Sequence, residues 1–167
     1  MNRKIAYYGL LVALAFIFSY VESLFPINLG IPGVKLGLAN LVVIVSLYLF
    51  GIREAAAVSF IRIVLSGITF GSPAAMVYSL AGGVLSLLIM VIARKTNKFS
   101  TMGVSVAGGV FHNVGQIIVA MIALETQSLI YYLPVLIISG LVAGVIIGIL
   151  AAEIIKRLPK EKIEDRK

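Results

Sequence analysis

The chain of 167 residues is 60% hydrophobic and 13% charged, with a mean hydropathy of +1.10. A soluble domain carries about 25% charged residues, so this chain could not cover a water-facing surface, and a lipid bilayer is its expected solvent. It has no cysteine, which excludes disulfides, thiolate metal ligands and cysteine nucleophiles. The net charge of +7 lies mostly at the ends of apolar segments and in the tail, which favours contact with anionic lipid over nucleic acid.

Six apolar runs predict an all-α, polytopic membrane protein with about six transmembrane helices. Their expected limits, in chain order, are 5–24, 36–50, 52–68, 73–94, 101–124 and 128–155. Six helices of roughly 20 residues use about 120 residues, which leaves short loops and a single transmembrane domain over 1–167. A basic tail over 156–167 ends the chain, and a loop rich in glycine and proline, Phe25–Lys35, follows the first helix.

The positions of lysine and arginine predict the orientation. With the N-terminus inside, the basic residues on the cytoplasmic side are Arg3, Lys4, Arg53, Arg94, Lys95, Lys98 and six residues of the tail. The outer loops then hold only Lys35. The positive-inside rule therefore places both termini in the cytoplasm and the Phe25–Lys35 loop outside a cell membrane that the chain crosses several times.

Small residues recur at every fourth position on the first and sixth helices. They are Gly9 and Ala13 on the first helix, and Gly140, Gly144, Gly148 and Ala152 on the sixth. Such stripes allow another helix to approach closely in lipid. Packing within the chain and docking of a partner protein both remain open for these stripes.

Polar side chains inside the apolar runs are the candidates for function, because polar groups are costly in hydrocarbon. Residues on one helical face are Ser59, Arg62, Ser66 and Thr69 on the third helix, Ser79, Gly82, Gly83 and Ser86 on the fourth, and Ser105, Gly109, His112 and Gln116, beside Asn113, on the fifth. Asn40 and Glu22 are expected nearer the outer surface. We expect these faces to share an interior cavity.

Arg62 is the most informative of these residues, since it is predicted about 15 Å along its helix, near the middle of the bilayer. A midplane arginine normally has a partner. Three partners remain open: backbone carbonyls, the carboxylate of Glu22, or an anionic ligand, which a guanidinium binds well. His112 has two interpretations, a helix–helix hydrogen bond or a ligand contact.

Missing motifs argue against catalysis by this chain alone. It has no GxxxxGK[ST] phosphate loop, so we expect no ATP hydrolysis. Its sole aspartate is Asp165, so no carboxylate cluster is expected in the membrane for a magnesium–diphosphate. No carboxylate is expected at the depth of His112 to complete a catalytic triad. We expect no enzyme activity, no cofactor and no metal site.

Several segments together resemble a known family. They are Ile31-Pro-Gly-Val-Lys-Leu-Gly-Leu-Ala-Asn40, Arg53-Glu54, Arg62 and Gly108-Gly109-Val-Phe-His112-Asn113-Val-Gly-Gln116. They resemble the small bacterial proteins named heptaprenyl diphosphate synthase component I, or Gx transporter family, from about residue 5 to 155. That family is similar in turn to the S components of energy-coupling factor transporters. These are six-helix proteins that capture small molecules from outside and rely on a membrane coupling subunit and two cytoplasmic ATPases.

The resemblance implies an S-component-like fold, docking of a coupling subunit through Gly9 and Ala13, and a Phe25–Lys35 loop that caps the ligand site. The leading hypothesis is a solute-binding subunit for a small anionic molecule. Its candidate site residues are Arg62, His112, Asn113, Gln116, Asn40, Lys35 and Ser66.

Two other functions are left open. The first is a non-catalytic membrane accessory subunit of a heptaprenyl diphosphate synthase, since a catalytic subunit would be expected to show aspartate-rich motifs. The second is a membrane partner in flavin or quinone redox chemistry, which no residue specifically favours.

Overall fold

The computed structural model describes residues 2–24 and 37–158, which form six α-helices and one short 3₁₀ helix, with no strand in these two segments. The helices are α1 Asn2–Leu24, α2 Leu38–Leu49, α3 Ile52–Thr69, α4 Pro73–Lys95, α5 Thr101–Ala123, the 3₁₀ helix Gln127–Tyr132 and α6 Leu133–Arg157. The predicted all-α class is confirmed. The predicted loop Phe25–Lys35 and the tail beyond residue 158 lie outside the described residues.

Four helical segments are long and apolar enough to cross a membrane. They are Ala6–Leu24, Pro73–Lys95, Thr101–Ala123 and the continuous segment Gln127–Arg157. These segments identify a membrane protein. α3 has comparable length but carries three charged residues, Arg53, Glu54 and Arg62. α2 has 12 residues, or about 18 Å of helix, which is less than the roughly 30 Å hydrocarbon core.

α2 lies inside the bundle, with nine of its 12 residues buried, as expected for a helix that is apolar on every side. Its side chains Ile44 and Leu47 join Met90 of α4 and Val104 of α5 in the main core. Because protein rather than lipid surrounds this helix, the chain can be non-helical at Gly37 without exposing polar backbone to hydrocarbon. A shorter helix than predicted is therefore sufficient at this position.

Charged side chains hold both ends of α2. At its start, Glu22 Oε1 accepts a hydrogen bond from the Leu38 N–H at 2.8 Å. At its end, Arg94 Nη1 donates to the Leu47 carbonyl, and the Arg94 guanidinium lies 4.9 Å from the centre of the Tyr48 ring. An anion at the N-terminus and a cation at the C-terminus both complement the helix dipole, so the two contacts fix α2 along its axis.

The helices enclose an interior space. α3 packs on α4, α4 on α5, and α5 on α6, while α2 contacts both α6 and α3 and so completes the ring. α1 lies against α2 and α3. This arrangement turns the polar faces of α3 and α5 toward the same interior.

Glycines bring the backbones of α5 and α6 together. A Cβ atom on Gly144 would lie 2.6 Å from Val106 Cα, and a Cβ atom on Gly140 would lie 2.9 Å from the carbonyl oxygen of Gly109. No side chain fits at these distances. Of the two interpretations left open for the glycine stripe of the sixth helix, the structure supports packing within the chain.

The small residues of the first helix have the opposite environment. Gly9 and Ala13 are exposed on the outer face of α1, and no atom would lie within 4 Å of a Cβ atom at Gly9. In the described part of the chain, this face is not used for close packing at Gly9. Docking of a partner there stays a prediction.

Candidate functional site

A polar cavity of about 170 Å³ lies at the N-terminal end of α2, and all six α-helices contribute to its wall. Six of the seven candidate site residues line it: Asn40, Arg62, Ser66, His112, Asn113 and Gln116. The seventh, Lys35, lies outside the described residues. The structure thus brings together side chains from α2, α3 and α5 that are separated by up to 76 positions in the chain.

Arg62 is the one charged side chain that is buried among the described residues, with 8% of its surface exposed. Its Nη2 donates to Asn40 Oδ1 at 2.9 Å, which is its only hydrogen bond within that part of the chain. A guanidinium has five N–H donors, and the buried Nε has no partner among the described residues. Arg62 therefore retains donors for a further acceptor.

Glu22 lies on the wall of the same cavity. Its Oε1 accepts from the N-terminus of α2, as described above, and no ion pair within 4.0 Å joins it to Arg62. Glu22 acts on Arg62 only as a longer-range charge. Of the three partners left open from the sequence, neither a backbone carbonyl nor Glu22 bonds to Arg62 in the described structure. The observed partner is the side-chain amide of Asn40.

Two other candidate residues have hydrogen bonds inside the protein. Asn113 Nδ2 donates to the Leu136 carbonyl at 2.7 Å and to Ser139 Oγ at 3.3 Å, which joins α5 to α6. Ser66 Oγ donates to the Arg62 carbonyl one turn earlier at 2.5 Å. These contacts give Asn113 and Ser66 structural roles on the cavity wall.

Gln116 and Ser79 differ from these residues. Both are half-buried on the cavity wall, and neither side chain makes a hydrogen bond in the described part of the chain. The other helical hydroxyls near this site, such as Ser19 and Ser66, bond to a carbonyl one turn earlier. Ser79 was not among the candidate site residues, although its place on the small, polar face of the fourth helix is a signal that could have identified it.

Gly82 of α4 makes room for the cavity side chains of α5. A Cβ atom on Gly82 would lie 2.6 Å from the His112 carbonyl oxygen and 2.8 Å from Gln116 Cγ. The two helices are therefore in backbone contact at this level. The absence of a side chain at Gly82 allows Gln116 to lie on the cavity wall beside α4.

An apolar cavity of about 460 Å³ adjoins the polar one, between α4, α5, the 3₁₀ helix and the start of α6. Most of its wall is aliphatic or aromatic, including Tyr78, Ile117 and Leu129. Three residues line both cavities: Ala75, Ser79 and Gln116. The two spaces are therefore neighbours that share a wall.

Comparison with known families places the chain beside a described family. The family model described as heptaprenyl diphosphate synthase component I matches residues 11–154. Every residue that lines the polar cavity falls within this range. No curated protein and no solved structure matches the chain.

Proposed function

The chain belongs to the heptaprenyl diphosphate synthase component I family, and from this premise we propose that it is a membrane-embedded solute-binding subunit of an energy-coupled transporter. Its ligand is a small anionic molecule. The observation that carries this proposal is the buried guanidinium of Arg62, which uses one of five N–H donors for a hydrogen bond in the described structure.

Physical chemistry favours an anion at this position. A charged group near the middle of a bilayer costs at least roughly 2.5 kcal/mol on insertion scales, and one hydrogen bond to Asn40 leaves most of the guanidinium donors unsatisfied. A carboxylate or phosphate can accept two parallel hydrogen bonds from arginine. Arg62 is buried, and a charge pair at a buried position is stronger than the same pair in solution.

Two further features support a role in uptake. The cavity lies at the C-terminal ends of α1 and α3 and the N-terminal end of α2, the side that the positive-inside rule assigns to the outside. The sequence also lacks a phosphate loop, so energy for transport would come from partner ATPases through a coupling subunit. In this proposal the exposed face around Gly9 and Ala13 is where the coupling subunit docks.

Arg62→Met tests the binding site. Methionine keeps an extended side chain and removes the buried charge, so the variant should insert and fold. Affinity for the small molecule that co-purifies with the wild type, detected by native mass spectrometry, should fall by roughly 2–5 kcal/mol. Arg62→Lys should recover only part of this loss, because an ammonium cannot make the two-pronged contact.

Arg53→Met is the matched control, because Arg53 lies on the same helix but is exposed and outside the cavity. It should retain the bound molecule. If Arg62→Met retains it equally well, Arg62 does not hold the ligand and the proposed site is wrong.

The family description favours a second candidate, a non-catalytic membrane subunit of a heptaprenyl diphosphate synthase. Reconstitution distinguishes the two functions. A transporter subunit should support ATP-dependent uptake when it is combined with a coupling subunit and its ATPases, and it should hydrolyse no ATP alone. A synthase subunit should instead co-purify with a soluble catalytic subunit and change its activity. ATP turnover by the purified chain alone would contradict both.

A further inference from the structure

The polar cavity alone is small for a complete ligand. Small-molecule sites usually enclose roughly 300–1,000 Å³, whereas this cavity has about 170 Å³. The polar cavity is also less than half the size of its apolar neighbour, so it suits the charged group of a larger ligand. The apolar cavity of about 460 Å³ lies within the usual range.

The two cavities have opposite chemistry and a common wall. The polar side has the Arg62 guanidinium, whose Nε lacks a partner in the described chain. On the apolar side, aromatic and aliphatic carbon covers most of the surface, with Tyr78, Ile117 and Leu136 among the lining residues. A ligand that fills both spaces needs a charged end and a hydrophobic end.

We infer that the ligand is an amphiphilic anion, with its carboxylate or phosphate on Arg62 and a single apolar chain in the adjoining cavity. This inference rests on the proposed function and specifies its ligand class. Each CH₂ group of the chain that leaves water for the apolar cavity strengthens binding, and Arg62 fixes the orientation of the head group.

Gln116 and Ser79 line both cavities, so they lie beside the place where the head group of this ligand meets its chain. Their side chains make no hydrogen bond in the described residues, although both are half-buried. A polar group at such a position is stabilised by a hydrogen-bonding partner. The oxygen atoms of the anionic head group would supply hydrogen-bond acceptors for both side chains.

A wild-type binding experiment tests the ligand class. The full-length protein in phospholipid nanodiscs is titrated with octyl phosphate and octanoate, and with their tail-less counterparts, inorganic phosphate and acetate. Binding is followed by native mass spectrometry and thermal stabilisation. At least one tailed anion should bind ten-fold or more tightly than its counterpart. If neither tailed anion binds more tightly than its counterpart, the inference is overturned. This includes the case in which a bilayer lipid already fills the apolar cavity.

Ala120→Phe separates chain burial in the cavity from partition of the probe into the bilayer. Ala120 lines the apolar cavity but not the polar one, so the added ring should weaken binding of the tailed anion by ten-fold or more. Binding of the tail-less anion should not change. Ala123→Phe is the matched control, since Ala123 is exposed on the same helix. It should bind the tailed anion as the wild type does.

Failure of the inference is distinguishable from failure of the proposed function. Equal binding of the tailed anion by Ala120→Phe and Ala123→Phe would show that the apolar cavity does not hold the chain. The proposed function would stand in that case if Arg62→Met still weakened anion binding. If Arg62→Met changed binding of neither the tailed nor the tail-less anions, the proposed function would fail as well.

Discussion

The bond between Arg62 and Asn40 shows how a buried charge is held inside this membrane protein. A charged side chain near the bilayer centre, where Arg62 is predicted to lie, costs at least roughly 2.5 kcal/mol, and a hydrogen bond to a charged group returns roughly 1.5–3 kcal/mol. The two magnitudes are similar, so the protein can fold without a second partner for Arg62. An anion that accepts hydrogen bonds from the other guanidinium donors would stabilise Arg62 further. This added stabilisation is the energetic basis for the proposed binding.

Double-mutant cycles should identify Asn40, and not Glu22, as the partner of Arg62. The Arg62→Met and Asn40→Leu changes should couple by roughly 1.5–3 kcal/mol, because a 2.9 Å hydrogen bond joins the two side chains. The coupling of Arg62→Met with Glu22→Gln should be smaller, since the two charges are not in contact. Thermal unfolding in detergent measures both cycles.

A larger coupling energy between Arg62 and Glu22 than between Arg62 and Asn40 would contradict the observed contacts. In particular, if Arg62→Met lost stability and adding Glu22→Gln restored it, the carboxylate of Glu22 would be the structural partner of the arginine.

At the scale of elements, two features of helix packing position the cavity. α2 is short and is held at both ends by charged side chains, so Asn40, in the first turn of α2, lies beside Arg62. α5 and α6 are in backbone contact through glycine, and Asn113 adds a hydrogen bond between them. Because α5 carries His112 and Gln116, the packing of this helix decides where the polar wall lies.

Gly144→Ala and Gly9→Ala should have opposite effects on stability. The new methyl group at Gly144 would lie 2.6 Å from Val106 Cα, and overpacking of this kind costs roughly 1–3 kcal/mol. A new methyl group at Gly9 would meet no atom within 4 Å outside the backbone of its own helix. Alanine is a better helix former than glycine by roughly 0.5–1 kcal/mol, so Gly9→Ala should be neutral or stabilising. Thermal melting of the two purified variants checks this.

Equal destabilisation by the two substitutions would mean that the outer face of α1 is also closely packed in the membrane. If Gly9→Ala lowered the thermal stability and Gly144→Ala did not, the packing of α5 on α6 described here would be contradicted.

At the scale of the whole molecule, the ring of helices places the polar cavity toward the ends of α1 and α3, and the apolar cavity beside the end of α5. The basic residues of the described chain lie mostly at the other end, where Arg94, Lys95 and Lys98 follow one another. The positive-inside rule then makes both cavities accessible from the outer side. This orientation is a prediction that the proposed uptake requires.

Single cysteines at the two ends of α5 test the orientation. The native chain has no cysteine, and Lys98 and Gln127 are both exposed, one before the helix and one after it. In intact cells, a thiol reagent that does not cross membranes should label Gln127→Cys. Lys98→Cys should react only after the membrane is opened. The reverse pattern would invert the topology and place the cavity on the cytoplasmic side.

Much of this protein could be predicted from its sequence, because hydropathy and helical periodicity are local properties. They identified an all-α membrane protein, and the predicted family is confirmed by the match over residues 11–154. Helical spacing also indicated that Arg62 and Ser66 share one face of α3, and that His112 and Gln116 share one face of α5. The further similarity to transporter S components stays a prediction.

Only the tertiary structure decided which helix each of these faces meets. It showed that the hydrogen-bond partner of Arg62 is Asn40, which was not among the three partners considered from the sequence, and it joined Asn113 to α6. It placed the Gly140 and Gly144 stripe against α5, and it revealed the apolar cavity beyond Gln116. The physical reason is that periodicity determines the direction of a side chain on its own helix, whereas its neighbour depends on how separate helices pack.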